Sequence, residues 1–263
     1  MNISWSIEEI EWLKNNYSEK GVSESAKILN KSNNSIVNKA FKLGLKVLRN
    51  KNIKSHLFIT SFCKESVYLL GYLFADGHIR KSKKGYEIVF HCSKDDMINI
   101  MHVFEHTGKW NILERTKNGK KHLMVRCFDS DLGKFLIENN YDKKSLSSAN
   151  KILSHIPNDL WHCFFLGLID GDGCWYYSEN NKQFIITGHY DHNWDYFRDL
   201  LTNMNISFLE RKTHTKCGSN SQIRVCKKRH LILLIDFLYP NNKYEIGLLR
   251  KFNKAIKIKS SLS

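Results

Sequence analysis

Residues 68–79 and 163–175 are two apolar runs of helix length, and each closes on the same dipeptide, Asp76-Gly77 and Asp172-Gly173. Small residues stand four apart in both, Gly71 with Ala75 and Gly167 with Gly171. A helix that is apolar nearly all round has to be buried, and small residues at this spacing let two helix backbones approach closely. One supersecondary unit used twice is therefore expected, with its copies joined through these helices. The aspartates then fall at helix C-termini, where the dipole already disfavours a carboxylate, and bringing two such ends together adds repulsion. Positive charge is needed at that junction, and a hard divalent cation held by carboxylate oxygens would supply it. One Asp-Gly helix end is an ordinary cap. Two, each closing an equivalent helix, point to a site.

Around each run the pattern reads helix-strand-strand-helix-strand-strand-helix, an α+β arrangement with one repeat over 61–150 and a second over 151–263. In the first, His78, Arg80, Ser82 and Lys84 alternate along one strand face, and Asn118-Gly119 marks a hairpin turn. Strands about 110–117 and 121–128 carry Arg115, Lys117 and Arg126. In the second, strands fall at 174–179, with Tyr176 and Ser178, and at 182–188, 206–213 and 221–227. Gln222, Arg224 and Lys228 are read as one donor-rich face of the last strand, with Ile223 and Val225 behind it, and Arg211 adds charge from the strand before. Such ribbons suit the major groove, where Arg and Gln read base edges and Lys holds phosphates. A last helix is expected from about Tyr244.

Charge supports a polyanionic partner. The chain of 263 residues has 41 Lys+Arg against 26 Asp+Glu, a formal net charge of +15, and nucleic acid is the first expectation for such an excess. The 7 cysteines are odd in number and none pair as Cys-x-x-Cys, so they read as reduced thiols rather than zinc ligands or disulfides. No leader pattern opens the sequence and no apolar run is long enough to span a bilayer. The expected place is the cytoplasm, at the nucleoid, or in the host cytoplasm for a phage-encoded protein, with no membrane partner.

Residues 1–47 read as a separate module. Ser6 and Glu9 form a capping box, Glu19-Lys20-Gly21 is expected to break the first helix, and a short second helix leads to a third from about Ser35 to Leu43. Three short helices, the last bearing Asn38, Lys39 and Lys42, suit a helix-turn-helix reader of DNA. A bundle used for folding or protein contacts shows the same pattern. Residues 48–60 read as a basic linker.

Phe165-Leu-Gly-Leu-Ile-Asp-Gly-Asp-Gly173 resembles the signature of the LAGLIDADG homing endonucleases, and Leu69-Leu-Gly-Tyr-Leu-Phe-Ala-Asp-Gly77 is a looser copy. The similarity covers about 61–257, including Ile156 to Trp161 ahead of the second motif. It implies the two-motif monomer, a saddle of two β-sheets over double-stranded DNA, and Mg²⁺-dependent cleavage of both strands. Mn²⁺ would substitute, and Ca²⁺ would bind without supporting cleavage. Carried over by position, Asp76 and Asp172 are the metal-binding catalytic acids, with the carbonyls of Ala75 and Gly171 as further ligands. Lys144 and Lys243 fit the basic residue after each sheet, and His91 the water-ordering residue at the end of the second strand. Its counterpart in the second repeat stays open between Thr187 and His189. The first motif departs from the signature at Phe74, and the N-terminal module is an addition to the fold.

The leading reading is a site-specific endonuclease serving the homing of an intron, intein or free-standing gene. An RNA maturase, with intron RNA as partner, keeps the fold and changes the role. A catalytically silent regulator keeps only the binding surface, but such a protein gains nothing from a repulsive carboxylate pair.

Overall fold

The computed structural model describes residues 5–45, 61–82, 85–117, 119–215 and 218–262. The chain divides into two compact units, Met1–Ile53 and Lys54–Ser263. The expected linker and Lys84 lie outside the described residues, as does the side chain of Lys117.

Among its described residues the first unit has two helices where three were expected. α1 (Ile7–Ile28) runs unbroken through Gly21. A glycine inside a helix costs only about 1 kcal/mol, and the Lys20–Glu24 ion pair at 2.9 Å spans it. Leu13, Tyr17 and Ala26 on α1 also pack on Ile36 and Ala40. The capping box at Ser6 and Glu9 is present. α2 (Asn33–Lys42) is capped by Ser32, whose hydroxyl accepts from Ser35 N–H at 3.2 Å.

The second unit contains the repeat. In its first copy α3 (Lys64–Asp76) leads into β1 (His78–Ser82) and β2 (Gly85–Cys92), then α4 (Lys94–Thr107), β3 (Asn111–Lys117), β4 (Lys120–Phe128) and α5 (Ser130–Glu138). A short α6 (Asn150–Leu153) bridges to the second copy: α7 (Trp161–Asp172), β5 (Gly173–Tyr177), β6 (Lys182–His189), α8 (Asp195–Asn203), β7 (Leu209–Thr215), β8 (Gly218–Val225) and α9 (Lys228–Leu238). α10 (Leu249–Ser260) follows, starting later than the expected Tyr244.

Each copy builds a four-stranded antiparallel sheet of the same topology, β1-β2-β4-β3 and β5-β6-β8-β7. Ile88, Phe90, Val125 and Cys127 line the buried back of the first sheet, and Phe184, Ile186, Ile223 and Val225 that of the second. A single core joins both sheets to α3 and α7.

The two motif helices touch backbone to backbone. A Cβ on Gly71 would lie 1.9 Å from the Phe164 carbonyl oxygen, and one on Gly167 would lie 2.0 Å from that of Tyr68. Only glycine fits either crossing point. The apposed C-termini that the repeated motif called for are the result.

Candidate active site

Where α3 and α7 end, Ala75, Asp76, Gly171 and Asp172 meet. A Cβ on Gly171 would stand 2.3 Å from Ala75 Cβ and 3.3 Å from an Asp76 carboxylate oxygen, so the crowding reaches the acids themselves. Burial raises the Asp76 carboxyl above its ordinary range although one edge of it meets solvent, and Lys144 and Lys251 pull it back down. Burial first, and then repulsion from Asp76, pushes Asp172 up to about 6 against the same two lysines.

Those lysines supply the positive charge that two like-charged helix ends require. Lys144 Nζ donates to Leu73 O at 3.2 Å and to Ala75 O. Lys251 Nζ donates to Ile169 O at 2.7 Å, Asp170 O at 2.6 Å and Gly173 O at 2.8 Å. The last carbonyls of a helix lack partners within it, and an ammonium there satisfies them while opposing the negative end of the dipole. Burial lowers both lysines, Lys144 to about 8, and the neighbouring carboxylates offset part of that fall.

Lys251 takes the place expected of Lys243. Lys243 lies on an exposed loop, 3.3 Å from Glu245, which also pairs with Lys64 at the start of α3. That is the far end of the motif helices, roughly 15–20 Å from the aspartates at 1.5 Å per residue. The intervening chain explains the difference between the copies. Lys144 follows α5 after one tight turn, whereas the second copy inserts a loop before its lysine, on the first turn of α10.

Asp170, the motif's first aspartate, is fully buried and pushed up to about 6 by burial, with Lys251 pulling the other way. Its Oδ2 accepts from Tyr68 O–H at 2.9 Å and Leu248 N–H at 2.7 Å. Phe74 fills the equivalent place in the first copy, packed edge-on against Tyr141 with ring centroids 5.2 Å apart. The lone Asp-for-Phe difference between the motifs was the available signal for this role.

Strand register settles the counterpart of His91. His78 pairs with Val89 and Cys174 with Ile185. Two residues further along, His91 faces Met124 and Thr187 faces Gln222. Thr187 therefore occupies the His91 position, and His189 does not. The His91 ring lies 5.1 Å from that of His122.

The expected groove-facing residues fare differently. His78, Arg80, Arg115 and Arg126 share the open face of the first sheet, and Tyr176, Arg211, Gln222 and Arg224 that of the second. Glu87, 4% exposed, ties down two of them, bonding Arg80 and, at 3.4 Å, Arg126. Arg224 Nη2 donates to Gln222 Oε1 at 2.7 Å. Ser178 instead closes the β5–β6 turn on Asn181. Lys228 does not continue the strand face but starts α9. In the first unit Asn38 and Lys42 are exposed, whereas Lys39 lies over the Trp5 ring, 5.6 Å from its centroid.

No family model matches the chain, and no curated protein does. Among solved structures, the homing endonuclease I-WcaI bound to its DNA recognition sequence superimposes with a TM-score of 0.51 at 17% identity. That match covers 79% of this chain and 96% of the other. The LAGLIDADG meganuclease I-AabMI bound to uncleaved DNA gives 0.49 at 14% identity, over 73% and 89%. Full-length DUF199/WhiA from Thermatoga maritima gives 0.47 at 15%, over 80% and 66%. At these identities the likeness is one of fold.

Proposed function

We propose that this protein is a metal-dependent DNA endonuclease that cuts both strands of a long recognition site. One observation carries the reading: two carboxylates, a buried lysine and a half-buried one converge where two glycine-packed helices end, between two open-faced sheets bearing arginines. Three carboxylates (Asp76, Asp170, Asp172) against two ammoniums leave the centre one negative charge in excess, which suits a cation. Among the described residues no group of three His, Cys, Asp or Glu side chains forms a cage. A divalent cation would therefore take Asp76 and Asp172 and complete its shell with oxygens from outside the protein, as Mg²⁺ does with phosphate substrates. The Ala75 carbonyl already accepts from Lys144, whereas Lys251 bonds the neighbours of Gly171 and passes over its carbonyl.

When bound, such a cation supplies Lewis-acid chemistry at a phosphodiester. The chain's own part is to hold the carboxylates together and to present ammoniums where charge develops on the phosphate. The two sheets position the duplex, with arginine and lysine on phosphates and Gln222 and Arg224 at base edges. Residues 1–53 extend the contact to DNA through α2, where Asn38 and Lys42 are exposed, and so raise affinity through effective concentration.

Cleavage selection on a randomised duplex library, with and without Mg²⁺, tests this. Recovery of one cut sequence family only with the metal is expected. Enrichment of bound but uncut duplexes would instead identify a silent regulator, and preferential retention of intron RNA a maturase.

A further inference from the structure

A cleft of about 250 Å³ lies between the start of β5 and the first turns of α10, lined by Gly173, Cys174, Trp175, Arg250, Lys251 and Lys254. It borders the site directly, because Gly173 follows Asp172 and accepts from Lys251. Three of the six lining residues are cationic and none is acidic. Lys251 is turned inward to backbone carbonyls, but Arg250 and Lys254 stand one helical turn apart on the same face of α10, and both are exposed.

Arg250 is held in place from the other copy of the repeat. Its Nε and Nη2 donate to Asp96 at 2.7 and 3.0 Å, which uses two of the five donors of a guanidinium. The first copy differs at the matching positions. Lys144 sits in a turn rather than on a helix, and His78 holds the register position of Cys174.

We propose that this cleft seats a backbone phosphate of duplex DNA, next to the phosphodiester at Asp172; the assignment rests on the DNA-binding reading above. A preset guanidinium and an exposed ammonium a turn apart make charge-assisted bonds to a phosphate diester. Such a contact fixes the duplex in position without reading its sequence.

Cys174, exposed on the cleft wall, is a built-in reporter. Full-length protein is mixed with a mixed-sequence duplex at low salt without divalent metal, and Cys174 alkylation by N-ethylmaleimide is followed by peptide mass spectrometry. The duplex is expected to slow that alkylation on the order of tenfold. Lys254→Glu should weaken binding on the order of tenfold and reduce the salt slope by about one, whereas Lys134→Glu, exposed on α5, should stay within about twofold. If the parent binds duplex while Cys174 reacts at an unchanged rate, or Lys254→Glu matches Lys134→Glu, the phosphate seat is wrong and the endonuclease reading survives. If the parent binds no duplex, both fall.

Discussion

Asp170 holds Lys251 directly and also through the start of its helix. The lysine ammonium donates to the Asp170 carbonyl at 2.6 Å, and the Asp170 carboxylate accepts the N–H of Leu248, one turn ahead of Lys251, at 2.7 Å. The motif helix thus fixes both the ammonium and the start of the helix that carries it. Tyr68 of the first copy bonds the same carboxylate, so the brace crosses between repeats.

Lys251→Met should lower single-turnover cleavage by about 10²–10³, the scale of losing one preorganised donor to developing charge. Lys243→Ala should leave it within about twofold. Equal losses in the two variants would undo the assignment of Lys251.

Asp170→Leu strands the buried Leu248 N–H and Tyr68 O–H, and should cost about 2–4 kcal/mol in urea unfolding. Asp170→Asn keeps an acceptor and should lose less. A milder effect for Leu than for Asn would show that the carboxylate is not the brace.

Asp76→Asn and Asp172→Asn should each abolish double-strand cleavage while keeping duplex affinity within a few-fold. Each also relieves like-charge repulsion, so neither metal-free variant should melt below the parent. Parent-like cutting by either would remove that residue from the site.

Gly167→Ala places a methyl group 2.0 Å from the Tyr68 carbonyl oxygen, and rigid helix backbone cannot yield as a side chain would. A loss of about 3 kcal/mol or more is expected, read from chemical denaturation. A near-neutral result would mean that the helices can separate at no cost.

The His192 ring lies tilted against that of Trp194, centroids 4.1 Å apart, and shares a hydrogen bond of 3.1 Å with Tyr196. Burial first, then Lys144 and His189, lower it to about 4. A base with a depressed folded pKa stabilises above its unfolded value near 6.5, and that contribution is lost as pH falls towards 4. Between pH 7 and 5 the parent should therefore lose on the order of 1–2 kcal/mol that His192→Gln does not lose. Parallel stability curves for the two proteins would contradict a neutral, half-buried ring.

The sequence alone determined the repeat, the crossing of its two helices and the pairing of Asp76 with Asp172. Each follows from local features: an apolar surface that has to be buried, glycines where backbones touch, and one dipeptide ending both helices. Tertiary structure decided what depends on chain path between distant segments. Lys251 reaches the site because a loop of unpredicted length returns α10 to the end of α7, and spacing along the chain cannot encode that return. Thr187 matches His91 because strand pairing, rather than residue count, aligns the copies. Glu87 binds Arg80 and Arg126 because two strands bring it between them. The carboxylate pair was legible because its physics is local; its lysines were not, because theirs comes from folding remote chain onto a helix end.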